Sequence, residues 1–192
     1  KVPGWGYTES VLVDGDHVIC TPGGKRGTLA AIDKKTGKVI WRSGGWTDGA
    51  QYASVVPVEL NSQRQFVQLT QKTLAGVSAR DGSVLWRNAW PGRTAVIPTP
   101  IVDRNQIYVT SGYGAGCRKI TVGSTNKVTE DYSNKNMKNH HGGVLLLDGH
   151  LYGYSDGRGW TCQNLKSGDV VWDSKKLGKG CVFYADKRLY CL

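Results

Sequence analysis

Pairs of short apolar runs, each pair separated by a polar turn, recur along the chain. In residues 11–20 two apolar runs flank an Asp-Gly-Asp turn, and related patterns lie at 101–109, 145–152 and 182–191. A version with a longer turn occupies residues 55–69. An apolar run, an Asp/Gly/Asn turn and a second apolar run predict a β-hairpin. Because leucine-rich helical patterning is missing, the chain is predicted to be all-β.

A second element is a strand, a tight turn and a strand that carries a tryptophan. It occurs at residues 28–42, 73–87 and 160–173. In every copy a small residue stands six positions before the turn glycine, and the tryptophan stands four positions after it. Fixed offsets in three copies indicate a repeat protein. The three sets are Ala31, Gly37 and Trp41; Gly76, Gly82 and Trp86; and Cys162, Gly168 and Trp172.

One hairpin and one tryptophan element together make a unit of four strands. Trp41 and Trp86 are 45 residues apart and Trp86 and Trp172 are 86 apart, so a third unit without its tryptophan fits between the last two. Its nearest aromatic residue is Tyr132. A period of about 40–50 residues predicts a β-propeller of four-stranded antiparallel blades. The predicted blades of this single domain, 1–192, span 9–43, 52–88, 97–134 and 142–174, and 180–192 begins a fifth.

The tryptophan elements are interpreted as contacts between blades rather than as ligand sites. The turn glycine permits a left-handed backbone conformation, and the small residue leaves room for a neighbouring blade. A tryptophan lying across that contact would bury about 150–250 Å². Since the spacing is that of the scaffold, the residues of all three sets are predicted to be structural blade-docking residues.

The first copy of the element resembles the tryptophan-docking pattern of the pyrroloquinoline-quinone (PQQ) repeat family of β-propellers. Ala31, Asp33, Thr36, Gly37 and Trp41 match that pattern in full, and the other copies match in part. The resemblance implies a ring of seven or eight blades. The four and a half blades here are therefore expected to be a fragment of a longer chain or to be completed by a second chain.

Two further stretches, residues 2–10 and 139–143, resemble a bacterial, usually exported, quinoprotein-like subfamily without a well-defined activity. This resemblance implies a periplasmic or secreted location. The start at Lys1, without an initiator methionine or a signal peptide, suggests a processed product or an excised piece. No run of 18 apolar residues occurs, so no membrane-spanning segment is predicted.

The formal net charge of +10 has two interpretations. One is an anionic partner such as nucleic acid, an acidic polysaccharide or a membrane surface. The other places lysines on solvated turns, as in Lys34-Lys35 and Lys175-Lys176, and it is favoured because no long basic run occurs. Nucleic acid is therefore not expected as a partner.

The five cysteines lack the spacing of a zinc site, and no metal site is predicted. Cys181 and Cys191 flank a predicted hairpin turn and could face each other in a disulfide. The favoured interpretation is that the cysteines are small buried residues in packed strands.

Function is expected on the loops that connect one blade to the next. In a propeller these loops surround one mouth of the central funnel, where convergent polar and aromatic groups are the usual binding-site hypothesis. The ligand-binding candidates on this funnel face are Trp5, Tyr7, Trp46, Tyr52, Arg93, Asn139, His140 and His141.

His140, His141 and Asp48 are also catalytic candidates. One histidine could be a general base or a metal ligand, although adjacent residues entering a strand are expected to point to opposite sides. Alternatively, one histidine is bonded into the blade packing and the other is exposed. Asp48 could be an acid/base group or a calcium ligand, but no second carboxylate accompanies it.

The resemblance also implies a cofactor that these residues do not support. Alcohol-oxidising quinoproteins similar to this fold use a vicinal cysteine disulfide, a calcium site and a catalytic aspartate around the quinone. The chain has no Cys-Cys pair, and its carboxylates do not cluster suitably. PQQ with calcium stays an alternative, and no cofactor is predicted.

Three functions are considered. The leading hypothesis is a non-catalytic, exported propeller scaffold that binds a protein or glycan partner at its funnel face, with outer-membrane assembly scaffolds as the nearest analogy. The second is a PQQ-dependent dehydrogenase-like quinoprotein, an oxidoreductase. The third is an enzyme that acts on an anionic polysaccharide through His140 or His141.

Overall fold

The computed structural model describes residues 2–192, which form 18 β-strands and no helix. The first sheet contains β1 Leu12–Asp14, β2 His17–Cys20, β3 Ala30–Asp33 and β4 Val39–Arg42. The second contains β5 Val56–Leu60, β6 Gln63–Leu69, β7 Thr73–Ser78 and β8 Val84–Ala89. The third contains β9 Ile101–Asp103, β10 Gln106–Ser111, β11 Gly116–Val122 and β12 Val128–Asn134. The fourth contains β13 Val144–Leu147, β14 His150–Ser155, β15 Gly159–Asn164 and β16 Val170–Ser174, and a two-stranded sheet pairs β17 Val182–Ala185 with β18 Arg188–Cys191.

Within each sheet the strands follow sequence order, so every sheet is an antiparallel meander. Consecutive antiparallel strands need only short turns, which the apolar–turn–apolar pattern supplies. The prediction of an all-β chain with four-stranded antiparallel sheets is therefore confirmed. Among residues 2–192 no helix has the length and apolar character needed to cross a membrane.

The three tryptophan elements share one local conformation. Their turn glycines have positive φ angles of +71° at Gly37, +75° at Gly82 and +79° at Gly168. The N–H of each glycine donates to the carbonyl four residues earlier, at 2.9, 3.0 and 2.9 Å respectively. In each sheet the small residue lies opposite the tryptophan, and a β-bulge follows it directly. The bulge and the left-handed glycine together give the three elements the same local backbone conformation.

In the third sheet Tyr132 occupies the position of the missing tryptophan. Tyr132 lies opposite Lys119, which the bulge follows, just as Trp41 lies opposite Ala31. Lys119 is nevertheless long and buried; its Nζ lies 3.5 Å from an oxygen of Asp131 and 5.8 Å from the centre of the Tyr132 ring. The pairing register therefore makes Tyr132 the structural equivalent of Trp41.

The Trp41 ring leaves its own sheet and contacts the β7–β8 turn of the second sheet. Its Nε1 donates to the carbonyl oxygen of Ala79 at 3.1 Å. A Cβ atom placed on Gly82 would lie 2.5 Å from Trp41 Cε3, so only glycine leaves room for the ring. Phe66 packs beside the same ring, with 6.2 Å between ring centroids. One aromatic side chain thus joins the first two sheets by an apolar contact and a hydrogen bond.

Tyr132 makes the same contact between the third and fourth sheets. Its hydroxyl donates to the carbonyl oxygen of Leu165 at 3.0 Å, and a Cβ atom on Gly168 would lie 2.8 Å from its ring. Leu165 stands three residues before Gly168, as Ala79 stands three residues before Gly82. The tyrosine hydroxyl therefore replaces the indole N–H as the donor.

The other two tryptophans have different surroundings. Trp86 is buried, and its Nε1 donates to Gln65 Oε1 in its own sheet at 2.8 Å. Trp172 is 46% exposed and packs near Tyr152, with 6.2 Å between ring centroids. Within residues 2–192, the contact to the next sheet's turn glycine is therefore made by Trp41 and Tyr132 but not by these two rings.

The hydrophobic core lies between successive sheets rather than within one of them. Each of its three clusters combines buried side chains of two neighbouring sheets and their connections. Their members include Ile19, Trp41 and Phe66 between the first and second sheets, Leu69, Trp86 and Ile120 between the second and third, and Tyr108, Met137 and Leu151 between the third and fourth.

The β17–β18 hairpin does not place its two cysteines opposite each other. The backbone of Cys181 exchanges hydrogen bonds with that of Leu192, at 2.8 and 2.9 Å, and Cys191 pairs with Val182. Successive pairs of an antiparallel ladder project to opposite faces, so the two sulfur atoms lie on different sides of the hairpin. This corrects the disulfide alternative. All five cysteines are free, and two of them are buried.

Candidate functional site

An aromatic cleft of about 260 Å³ lies where the connections between sheets come together. In each meander the chain enters and leaves at the same end, so these connections and the β10–β11 and β14–β15 turns share one face, here called the loop face. In each sheet the turn between the first two strands and the turn between the last two strands, such as β1–β2 and β3–β4, lie at the opposite end, here called the turn face. The side chains that line the aromatic cleft are Trp5, Thr8, Tyr52, Ala95, Ile97, Tyr113 and His140.

Two aromatic pairs form the walls of the aromatic cleft. The rings of Trp5 and Tyr52 lie 6.0 Å apart at 53°, and those of Tyr113 and His140 lie 4.6 Å apart in an edge-on arrangement. Trp5 is 65% exposed and Tyr113 is 41% exposed, whereas Tyr52 is buried. Three of the predicted ligand-binding residues, Trp5, Tyr52 and His140, therefore meet at one concave site.

His140 belongs to a polar chain at the edge of the aromatic cleft. Lys179 Nζ donates to His140 Nδ1 at 3.0 Å and to Asp156 Oδ1 at 2.7 Å. Burial lowers the pKa of His140, and the charge of Lys179 lowers it further while Asp156 opposes the shift. Because lysine offers only donors, Nδ1 accepts, and the proton of the neutral ring is on Nε2. His140 is therefore a neutral hydrogen-bond donor at neutral pH.

His141 lies beside His140 on the same loop. The two ring centroids are 5.1 Å apart, and the His141 side chain is exposed. The expectation that adjacent histidines point to opposite sides was wrong, because these residues form no strand and strand alternation does not apply. A catalytic role for either histidine stays a prediction.

Two candidates are buried parts of the scaffold. Trp46 is 2% exposed and packs in the core between the first and second sheets. Asn139 is fully buried, and its Nδ2 donates to the carbonyl oxygens of Gly143 and Tyr154 at 3.1 and 3.0 Å. Neither side chain lines the surface of the loop face, which corrects their assignment as ligand-binding residues. Buried loop carbonyls need donors, and Asn139 supplies them.

The remaining candidates lie apart from the aromatic cleft. Tyr7 is exposed, and its hydroxyl donates to the carbonyl oxygen of Pro22 at 3.2 Å. Arg93 is exposed on the β8–β9 connection. Asp48 accepts a hydrogen bond from Thr70 Oγ1 at 2.7 Å. Burial alone would raise the pKa of Asp48, but hydrogen bonds outweigh it and lower the pKa, so Asp48 stays an ionised acceptor at neutral pH.

A PQQ-repeat family model, described as outer membrane protein assembly factor BamB, matches residues 1–174. The chain belongs to this family. The match confirms the resemblance carried by the Ala31 to Trp41 element.

Among solved structures, this BamB-family chain is similar to the crystal structure of BamB from Moraxella catarrhalis. The TM-score is 0.66 at 18% sequence identity, over 90% of this chain and 49% of that chain. The chain thus spans about half of that BamB, and the fold is a partial β-propeller, as predicted. A computationally designed protein, Ika8, gives a TM-score of 0.45 at 12% identity, over 93% of this chain and 65% of that chain. The comparison with curated proteins finds no match.

A calcium site, which the resemblance to quinoproteins implies, needs several oxygen ligands that converge on one point. Among residues 2–192 no three His, Cys, Asp or Glu side chains converge on a point where they could hold a metal ion. Calcium takes six to eight oxygen ligands, and Asp48, the proposed ligand, is instead bonded to Thr70 and lies near Lys72. PQQ with calcium stays a prediction of the resemblance alone.

Sequence reasoning missed three residues of the candidate site. Tyr113 lines the aromatic cleft from the β10–β11 turn, and Lys179 and Asp156 hold His140. The signal for Tyr113 was its place in a Gly112-Tyr-Gly114 turn on the loop face, where a large exposed aromatic has no structural reason to be. No local signal identifies Lys179 or Asp156, because their contact with His140 joins distant segments.

Proposed function

We propose that this BamB-family chain is a protein-binding β-propeller scaffold of the bacterial cell envelope, periplasmic or secreted. The aromatic cleft carries the proposal, because Trp5 and Tyr113 expose large rings at one concave site. Tryptophan and tyrosine are enriched among the residues that dominate protein interfaces. The family description, an outer membrane protein assembly factor, supports both the role and the location.

The size and lining of the aromatic cleft favour a side chain of a protein partner as its occupant. Pockets for small molecules are usually about 300–1,000 Å³, and the aromatic cleft is smaller, at about 260 Å³. Its lining also offers few polar groups beyond His140, Thr8 and two tyrosine hydroxyls. A glycan needs many hydrogen bonds to replace its water, so it is the less favoured occupant.

The proposed scaffold function also includes a role for the residues that hold neighbouring sheets together. We propose that the sheets are the propeller blades predicted at 9–43, 52–88, 97–134 and 142–174, with the start of a fifth at 180–192, in one domain. The contacts of Trp41 with Gly82 and of Tyr132 with Gly168 support docking between blades. The wider set of predicted docking residues is Ala31, Gly37, Gly76, Trp86, Cys162 and Trp172.

Site-specific photocrosslinking in living cells tests the proposed function. A benzophenone amino acid at position 113 should form covalent adducts with protein, whereas the same group at Lys166, an exposed residue of the turn face, should not. Trp5→Ala in the position-113 protein should reduce the adduct yield, since it removes one wall of the aromatic cleft.

Two results would contradict the proposed function. Adducts that a glycosidase removes and a protease leaves intact would identify a glycan partner. Equal protein adducts at positions 113 and 166 would show collision with neighbouring proteins rather than a docking face. Cell fractionation checks the proposed location, which is excluded if the full-length protein remains in the cytoplasm.

A further inference from the structure

A basic hollow of about 310 Å³ lies on the loop face, and its lining residue Lys138 stands two residues before His140 of the aromatic cleft. Its charged lining consists of Lys135, Lys138, Arg158 and Lys175 together with Asp173. Four cationic side chains therefore surround one carboxylate. Like charges in one concavity repel each other, and their field is focused where the walls exclude water.

Only one of these four cations is neutralised within residues 2–192. Arg158 Nη1 lies 3.0 Å from Asp173 Oδ2. Lys135, Lys138 and Lys175 form no ion pair with any residue of the described range. An incoming anion would therefore meet three uncompensated ammonium groups.

Backbone and side-chain contacts connect the basic hollow to the aromatic cleft. Lys138 stands two residues before His140, so their Cα atoms are at most about 7 Å apart. The carbonyl of Lys138 accepts a hydrogen bond from the N–H of Asp156 at 3.0 Å. The Asp156 carboxylate in turn binds Lys179, which donates to His140. A bound segment of a few residues can therefore contact both sites.

We propose that the partner segment recognised at the loop face is acidic, with carboxylates in the basic hollow and a neighbouring apolar side chain in the aromatic cleft. The inference rests on the proposed protein-binding function and specifies the chemistry of the partner. Nucleic acids and anionic membranes fit less well, because they engage extended basic surfaces rather than one hollow beside an apolar cleft. A second copy fits poorly too, since each copy carries a net charge of +10.

The test titrates the ¹⁵N-labelled protein with two ten-residue peptides and follows the amide resonances. One peptide carries a single phenylalanine between four glutamates, and the other has glutamine in place of every glutamate. The glutamate peptide should shift the resonances of Lys138, Arg158 and Tyr113, and should bind about tenfold more tightly. Raising NaCl from about 50 to about 500 mM should remove most of that difference, because salt screens the charges.

Two double variants with the same change in net charge localise the effect. Lys138→Glu with Lys175→Glu should weaken binding of the glutamate peptide about tenfold and leave the glutamine peptide unchanged. The control, Lys127→Glu with Lys166→Glu, changes two exposed lysines of the turn face and should alter either affinity less than about twofold.

The inference is overturned if the two peptides bind equally, if neither binds, or if both double variants have the same effect. Tighter binding of a single-stranded DNA oligomer or of phosphatidylglycerol vesicles would overturn it as well.

Trp5→Ala separates the inference from the proposed function. If Trp5→Ala weakens both peptides while the lysine variants change nothing, the aromatic cleft stands and the acidic partner is wrong. If the Lys138→Glu, Lys175→Glu variant weakens binding of the glutamate peptide while Trp5→Ala changes neither affinity, the result supports the basic hollow and contradicts the aromatic cleft.

Discussion

Alanine substitutions at Gly82 and Gly37 measure how much the contact between neighbouring sheets contributes to stability. Both glycines end the same turn, with φ angles of +75° and +71°. A Cβ atom at Gly82 would lie 2.5 Å from the Trp41 ring, whereas a Cβ atom at Gly37 meets nothing within 4 Å. Gly37→Ala is therefore a matched control for the backbone cost.

The two variants are expected to lose different amounts of unfolding free energy, and the difference is the cost of displacing the Trp41 ring. A left-handed conformation costs a residue with a Cβ atom about 1–2 kcal/mol, and both variants lose this amount. Overpacking a filled site costs about 1–3 kcal/mol more, and only Gly82→Ala incurs it. The unfolding free energy should thus fall by about 1–2 kcal/mol for Gly37→Ala and by about 2–5 kcal/mol for Gly82→Ala.

Urea denaturation, followed by circular dichroism, measures the unfolding free energy. Equal slopes of this free energy against urea concentration indicate that the variants share a common unfolded state. Trp41→Ala completes a double-mutant cycle, because removing the ring should leave only the Arg42 carbonyl oxygen, at 3.2 Å, near the new Cβ atom and bring the cost of Gly82→Ala close to that of Gly37→Ala. Equal losses for the two single variants, or additive losses in the cycle, would refute the docking of Trp41 on Gly82.

Three further outcomes are expected. Tyr132→Phe removes the hydrogen bond to the Leu165 carbonyl and should lower the unfolding free energy by about 0.5–1.5 kcal/mol in the same assay. Burial and the nearby lysine lower the pKa of His140 in the folded protein. As the pH falls, the His140 ring is therefore protonated in the unfolded chain before it is protonated in the folded one. The unfolding free energy should thus decrease below the unfolded pKa of about 6.5. An NMR titration checks this, and a folded-state pKa above that value would contradict it. Cys181 and Cys191 should remain unlinked after air oxidation, as alkylation and mass spectrometry will show.

The elements that sequence patterns predicted well are those determined by local chemistry. Alternating apolar positions and Asp/Gly/Asn turns indicate hairpins without knowledge of the rest of the chain. The fixed spacing of Gly82 and Trp86 likewise reflects one turn conformation, which depends only on residues within it. The sequence identified Tyr132 only as the nearest aromatic residue of the third unit, and the pairing register is what gives it the position of the missing tryptophan.

The candidate site was predicted less well because its geometry is not local. Trp46 and Asn139 occupy the same kind of connection as Tyr52, yet only Tyr52 lines the aromatic cleft, and only the packed structure reveals that difference. The lowered pKa of His140 depends first on its burial and then on the charge of Lys179, which is 39 residues away. No periodicity in the sequence encodes such a contact.

Trp41 docks on the sheet that follows it in the chain, and Tyr132 does the same. On the ribosome, Trp41 is therefore synthesised before its partner exists, and Gly82 follows 41 residues later. At about 5–20 residues per second this delay is roughly 2–8 s. During that interval the Trp41 ring of the nascent first sheet has no Gly82 turn to pack on, and the Tyr132 ring of the third sheet waits in the same way for Gly168.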